Sequence, residues 1–213
     1  MDQQHISDEK IKETLAAYRF HPDQGHCAAI RSYMSLLLRW NQRVSLTTVV
    51  DPIEILRFHF GESLFAASSV PIGKGRLADV GSGAGFPALP LRMATQELEV
   101  TLIESNAKKT AFLSEVVRNL GLDQVEVLRL RAQQVKSNAL QFDYVTARAV
   151  GDYKALLSWS SERLTPHGML ILWLGQDDAR AIAGEDSWIW REPMLIPGST
   201  RRYILVGSPG AEI

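Results

Sequence analysis

The chain has little with which to build covalent or metal cross-links. It holds one cysteine, Cys27. That excludes an intrachain disulfide framework and a Cys-rich zinc site. The five histidines are scattered and never fall into H-E-x-x-H spacing. Charge of one sign is lacking too: 23 Lys and Arg against 24 Asp and Glu leave a net charge of −1. No global basic field announces nucleic acid, so any such binding must rest on a local patch. No apolar run is long enough to span a bilayer, and Met1-Asp2-Gln3-Gln4-His5 lacks the apolar core of a signal peptide. The expectation is a soluble cytoplasmic protein. A G-K-[ST] step for a phosphate-binding P-loop is also missing. Cys27 lies among Ala28, Ala29 and Ile30, which favours a buried small hydrophobe over a nucleophile.

What is present is apolar material and one distinctive turn. Hydrophobic residues make up 46% of 213, enough for one main domain with an extension. In Leu77-Ala78-Asp79-Val80-Gly81-Ser82-Gly83-Ala84-Gly85-Phe86-Pro87, an apolar run ends in three glycines at alternate positions. This predicts a strand, a tight turn and a helix start, with Pro87 in the first helical turn. Free N–H groups at that helix end face the crevice where an α/β sheet takes its ligand. The spacing is G-x-G-x-G, not the G-x-G-x-x-G of dinucleotide folds. Some twenty residues on, a second strand, Val100 to Ile103, ends in Glu104. A carboxylate there can accept hydrogen bonds from both hydroxyls of a ribose. Together the two markers point to an adenosine-type cofactor, gripped at opposite ends by the bend and by Glu104. A plain glycine turn with a surface Glu is the alternative.

The first seventy residues look helical. Ser7 caps one helix to Tyr18. A longer one, Asp23 to Arg43, carries Ile30, Tyr33, Met34, Leu37, Trp40 and Val44 as one stripe. Asp51-Pro52 opens a third, with Ile53, Leu56, Phe60 and Leu64 on it. Strands then alternate with helices: Arg76–Val80, Val100–Glu104, Val125–Leu130, Asp143–Arg148 and Met169–Leu174. Arg131–Ala139 is an irregular or helical connection, and Trp188–Ile196 with Arg201–Val206 is an antiparallel hairpin. Residues 1–72 are thus expected to be a helical region packed on a core of residues 73–213.

That order resembles a class I S-adenosylmethionine-dependent methyltransferase. More narrowly, the chain resembles the small-subunit (16S) ribosomal RNA guanine-N7 methyltransferase family, also called glucose-inhibited division protein B. The resemblance is carried by Trp40-Asn41-Gln42-Arg43-Val44-Ser45-Leu46-Thr47, His59 to Ser63, and Asp79 to Leu91. It continues through Leu102-Ile103-Glu104-Ser105, Lys108, Phe112-Leu113 and Phe142 to Ala149. It implies a Rossmann-like α/β fold, a seven-stranded sheet with its last strand antiparallel, after an N-terminal helical extension. It implies S-adenosylmethionine as cofactor, S-adenosylhomocysteine as product, and 16S rRNA or the small ribosomal subunit as partner. The protein is expected to be a monomer with no membrane or DNA partner. Carried over, cofactor contacts fall on Gly81 and Phe86, on Ala132 and Gln133, and on Arg148. The glycine turn adds Gly83 and Gly85, and the strand end adds Glu104. Basic residues around the pocket match Lys108, Arg131, Arg148 and Arg202. There are departures. Gln133 stands for a Glu, Glu62 for an Asp, Phe58 for an Arg with Arg57 one place earlier, and Leu174 for a lysine.

Guanine N7 has a lone pair and no proton to lose, so its methylation needs orientation and no general base. Arg148 is the residue expected to act in catalysis, through O6, a phosphate or the methionine carboxylate; a donor on N7 itself would block the nucleophile. A surface or salt-bridged Arg is the bland alternative. Arg39, Arg43, Arg57 and His59 line either an RNA-facing surface or a solvated helix face. Trp40 is core or a stacking platform. Arg131 is better placed than Arg129 by strand alternation, and Arg201-Arg202 opens the last strand where phosphate could lie. Other functions consistent with these residues are a methyltransferase acting on another RNA, a protein or a small molecule, a non-catalytic cofactor-binding assembly factor, or a nicotinamide dehydrogenase.

Overall fold

The computed structural model describes residues 6–135 and 141–210. The chain opens with two capped helices. α1 (Asp8–Ala16) starts at Ser7, whose hydroxyl accepts from the Lys10 N–H at 3.2 Å. α2 (Gln24–Asn41) starts at Asp23, whose carboxylate accepts from the His26 N–H at 2.7 Å. On the α2 stripe, Ile30, Tyr33, Met34 and Leu37 are buried, and Trp40 is half-buried.

The helix expected from Asp51-Pro52 is not one α-helix. It runs as α3 (Pro52–Ile55), a π-helical turn (Leu56–Gly61) and α4 (Glu62–Ser69). The Glu62 N–H donates to the Arg57 carbonyl, the five-residue step of a π-helix. The four-residue spacing of Leu56, Phe60 and Leu64 suits this wider turn, and all three rings or chains are buried. Such turns recur at functional sites.

The remaining elements are β1 (Gly75–Val80), α5 (Ala88–Ala94), β2 (Leu98–Ile103), α6 (Ala107–Asn119), β3 (Val125–Leu128), a 3₁₀ turn (Ala132–Gln134), β4 (Phe142–Arg148), α7 (Tyr153–Ser161), β5 (Leu164–Gly175), α8 (Gln176–Ile182), β6 (Trp188–Trp190), β7 (Met194–Leu195) and β8 (Arg202–Pro209). Among the described residues the strands form one sheet, β3-β2-β1-β4-β5-β8-β6, with β7 also paired to β8. β1 to β5 are parallel, and the last strand, β8, is antiparallel to its neighbours. The expected hairpin is therefore present, but its first arm is broken into β6 and β7 around Arg191-Glu192-Pro193. Pro193 has no N–H to give the ladder. β3 stops at Leu128, short of the expected Leu130, where the Glu104 N–H takes the Leu128 carbonyl and β2 offers nothing beyond. Arg129 and Arg131 thus leave the sheet, and strand alternation does not place them. α5 begins at Ala88, one residue past Pro87. Residues 136–139 of the Arg131–Ala139 connection lie outside the described residues.

Alternate residues of β1 face two cores. Leu77 joins one with Ile11, Tyr33, Phe60, Leu89 and Phe112, so the N-terminal helices share their core with the sheet. Ala78 joins the other, with Val145, Trp159, Leu172 and Ile182 under α7 and α8. No helix among the described residues is long and apolar enough to cross a membrane.

Candidate functional site

The strand order reverses between β1 and β4, and α/β sheets take ligands beyond the carboxyl ends of such a pair. The glycine turn lies there. Gly81, Gly83 and Gly85 have φ of +73°, +55° and +84°, a region that other residues enter only with strain. A Cβ at Gly81 would meet nothing nearer than Val150 at 3.8 Å, and one at Gly83 nothing nearer than the Gly81 carbonyl at 3.7 Å. These two glycines border open space. Gly85 differs: a Cβ there would overlap the Tyr33 hydroxyl and Leu89, so it faces the core. Tyr33 pins the turn by donating to the Ala84 carbonyl at 2.6 Å. Its ring stacks on Phe86 with centroids 5.1 Å apart, and His59 lies 4.8 Å from the same ring. The Phe86 side chain is committed to packing.

Glu104 follows β2 and is buried. One carboxylate oxygen accepts the Gly83 N–H at 3.0 Å, the other the Asn106 N–H at 2.7 Å. The expectation of a bend and a carboxylate at opposite ends of a ligand is corrected here: they touch. The reason is register. Val80 pairs with Ile103, so the residues after each strand emerge side by side. A carboxylate has about four acceptor positions, and two are used. The remainder suit a pair of vicinal hydroxyls. Beneath the turn, Asp79 accepts from Thr146 Oγ1 at 2.7 Å, and burial pushes its pKa up to about 6.

The loop after β3 carries the next two expected cofactor residues. Ala132 is half-buried, and Gln133 is exposed. Trp159 Nε1 on α7 donates to the Ala132 carbonyl at 2.7 Å, and Arg163 donates to the Val135 carbonyl at 3.0 Å.

Arg148 ends β4 and is no free surface residue. Its guanidinium donates to the Phe58 carbonyl at 2.7 Å and pairs with Glu62 at 3.1 Å. Arg202 pairs with the other Glu62 oxygen at 2.7 Å and lies over the Phe58 ring at 4.5 Å. Burial pushes the Glu62 pKa up, against the pull of Arg148 and Arg202.

The family profile described as rRNA small subunit methyltransferase G matches residues 26–191. The chain belongs to this family. A Roseiflexus sp. (strain RS-1) protein named ribosomal RNA small subunit methyltransferase G is 36% identical over 207 residues, 92% of this chain and 88% of that relative. A protein of the same name from Xylella fastidiosa (strain M23) is 39% identical over 153 residues, 72% of this chain and 71% of that relative. Among solved structures, a SAM-dependent methyltransferase from Aquifex aeolicus shares the fold: TM-score 0.62 at 15% identity, over 76% of this chain and 96% of that one.

Against the family's basic residues the structure sorts the candidates. Arg43, Arg57, Lys108 and Arg131 are exposed. Arg39 is exposed but paired with Glu115 at 2.6 Å, and Trp40 Nε1 donates to the same carboxylate at 2.9 Å, so Trp40 is a tethered packing residue. His59, expected on an RNA-facing or a solvated helix face, is half-buried. It bonds Thr47 Oγ1 through Nε2 at 2.8 Å, and burial with the nearby Arg148 lowers its pKa to about 4, leaving it neutral. Leu174, where the family has lysine, is buried in the second core. Sequence reading passed over Glu62, Tyr33 and Trp159 as parts of the site. Glu62 alone carried a signal: a charge set inside the apolar run Phe60-Gly61-Glu62-Ser63-Leu64-Phe65.

Proposed function

We propose that this S-adenosylmethionine-dependent methyltransferase modifies N7 of a guanine in small-subunit ribosomal RNA. The observation that carries the reading is the Gly83 N–H to Glu104 hydrogen bond of 3.0 Å, which fuses the glycine turn and the acidic strand end into one wall at the switch point. Family membership supplies the RNA. We assign Glu104 to the ribose hydroxyls, Gly81 and Gly83 to the close backbone approach, and Ala132 and Gln133 to the adenine side. Gly85 and Phe86 back the turn from the core.

When bound, S-adenosylmethionine supplies a methyl made electrophilic by its sulfonium. The protein's part is to orient the acceptor, an effect worth at most about 7–11 kcal/mol. N7 carries no proton, so no side chain has to remove one. His59 has its Nε2 engaged by Thr47 and a pKa lowered to about 4, so it is a weak proton acceptor, in keeping with a reaction that needs none. Arg148 gives one N–H to Phe58 and pairs with Glu62, and its remaining donors are free for guanine O6, a phosphate or the methionine carboxylate. With a net charge of −1 the chain needs local cations to meet RNA, and we assign that role to Arg43, Arg57, Lys108, Arg131 and Arg202, none of which is buried. We take the protein to act as a cytoplasmic monomer, its first 72 residues a helical buttress to the methyltransferase core.

Small subunits lacking the modification are incubated with the protein and S-adenosylmethionine, then cleaved chemically at N7-methylguanine. One new protein-dependent cleavage in the small-subunit RNA is expected. Methyl label in protein or in a small molecule, with the RNA uncut, contradicts the proposal.

A further inference from the structure

Glu62 has 1% of its surface exposed, yet it faces two guanidiniums drawn from different strands. Arg148 stands at the end of β4, in register with Trp173 of β5. Arg202 stands at the start of β8, in register with Gly175 of β5. Because β8 is antiparallel, its first residue lies at the same end of the sheet as Gly81 and Glu104. One carboxylate against two arginines leaves a surplus positive charge at that end. The side chains of Arg148 and Arg202 are 22% and 41% exposed, so the surplus reaches solvent. Arg202 brings Nε to 2.7 Å from Glu62 as an ion pair without hydrogen-bond alignment, so its terminal nitrogens point elsewhere than Glu62, and Phe58 lies against its guanidinium. A fixed guanidinium edge is the group that takes a phosphate by two parallel hydrogen bonds.

A purely stabilising role explains the cluster poorly. Buried ion pairs are often no better than apolar packing of the same volume, because desolvation offsets their attraction. Here burial lifts the Glu62 pKa in spite of both arginines, which signals the same cost.

We infer that Glu62 is a positioning residue that holds Arg148 and Arg202 as one paired cation site for a phosphate of the RNA substrate. This rests on the RNA-methylating reading above. RNA binding and methyl transfer are therefore measured separately on the full chain, with small subunits as ligand, at several salt concentrations. Arg202→Gln is expected to lower the slope of log affinity against log salt by about 0.7–0.9, one phosphate contact. It raises KM for the subunit about tenfold, with S-adenosylhomocysteine affinity within about twofold. Glu62→Gln reproduces the KM rise and the shallower slope, and Glu62→Asp restores most of both. The inference is overturned if Arg202→Gln keeps the wild-type slope and KM. It is equally overturned if Glu62→Gln weakens S-adenosylhomocysteine as much as RNA, since that marks a general structural defect. Wild-type protein that binds subunits without methylating them refutes the enzymatic reading, while the salt slopes still decide this one.

Discussion

Gly83 and Gly85 look alike in the sequence and face opposite ways in the fold. Gly85→Ala must enter positive φ and also overlap Tyr33 and Leu89. It is expected to cost about 2–4 kcal/mol, read as a clear fall in Tm. Gly83→Ala meets only an ordinary contact, the Gly81 carbonyl at 3.7 Å, so its cost is the positive-φ strain of about 1 kcal/mol, and its main effect falls on S-adenosylhomocysteine affinity. Equal losses of Tm in the two variants would contradict this division. Spacing alone could mark the turn, but the inward face of Gly85 is set by Tyr33, distant in the chain. Two other residues give opposed pH terms. The Asp79 pKa is raised from 3.8 to about 6, so its contribution is present below 3.8 and lost as pH rises to 6. The His59 pKa is lowered from 6.5 to about 4, so its contribution is present above 6.5 and lost as pH falls to 4. Between pH 4 and 6 the two nearly cancel. Asp79→Asn leaves the His59 term alone, and stability should then climb by about 3 kcal/mol across that window. Denaturant melts at pH 4, 5 and 6 check it; a variant profile as flat as wild type would show that neither Asp79 nor His59 carries the shift argued for it.

At the scale of elements, α7 is the part whose role was hidden. Nothing in its local sequence shows Trp159 reaching the loop after β3. Trp159→Phe keeps the ring against Phe142 and removes the 2.7 Å bond to the Ala132 carbonyl. That bond is worth about 1 kcal/mol, so S-adenosylhomocysteine affinity is expected to fall about fivefold with little change in secondary structure. Undiminished affinity would mean that the loop holds its place without α7. The π-helical turn was equally out of reach. Its four-residue apolar spacing fits an ordinary helix as well, and the wide turn was recognisable only once Glu62 was seen bonded to the Arg57 carbonyl. β-strands read better, because β-branched and apolar residues cluster between turn residues, most plainly in the unbroken apolar run Met169–Leu174. Their ends did not, since pairing partners decide where a strand stops, as Glu104 does for β3.

For the molecule as a whole, the alternation of strands and helices after Gly75 makes the α/β class legible in the sequence, whereas the reversed last strand of the sheet rests on the family resemblance. The sheet order then puts Gly81, Glu104, Arg148 and Arg202 at one end, although they are scattered through the chain. What sequence could not show was distance: the turn and Glu104, imagined as two ends of a clamp, are one hydrogen-bonded wall. The central claim is that this wall holds the nucleoside of the methyl donor. Calorimetric titration of S-adenosylhomocysteine into wild-type protein and Glu104→Gln tests it most directly. Wild type should bind one equivalent, and the variant should bind about tenfold more weakly with its fold intact, since a ribose then loses a charged acceptor. Equal affinity in the two proteins, or no binding to wild type at millimolar ligand, would contradict the account.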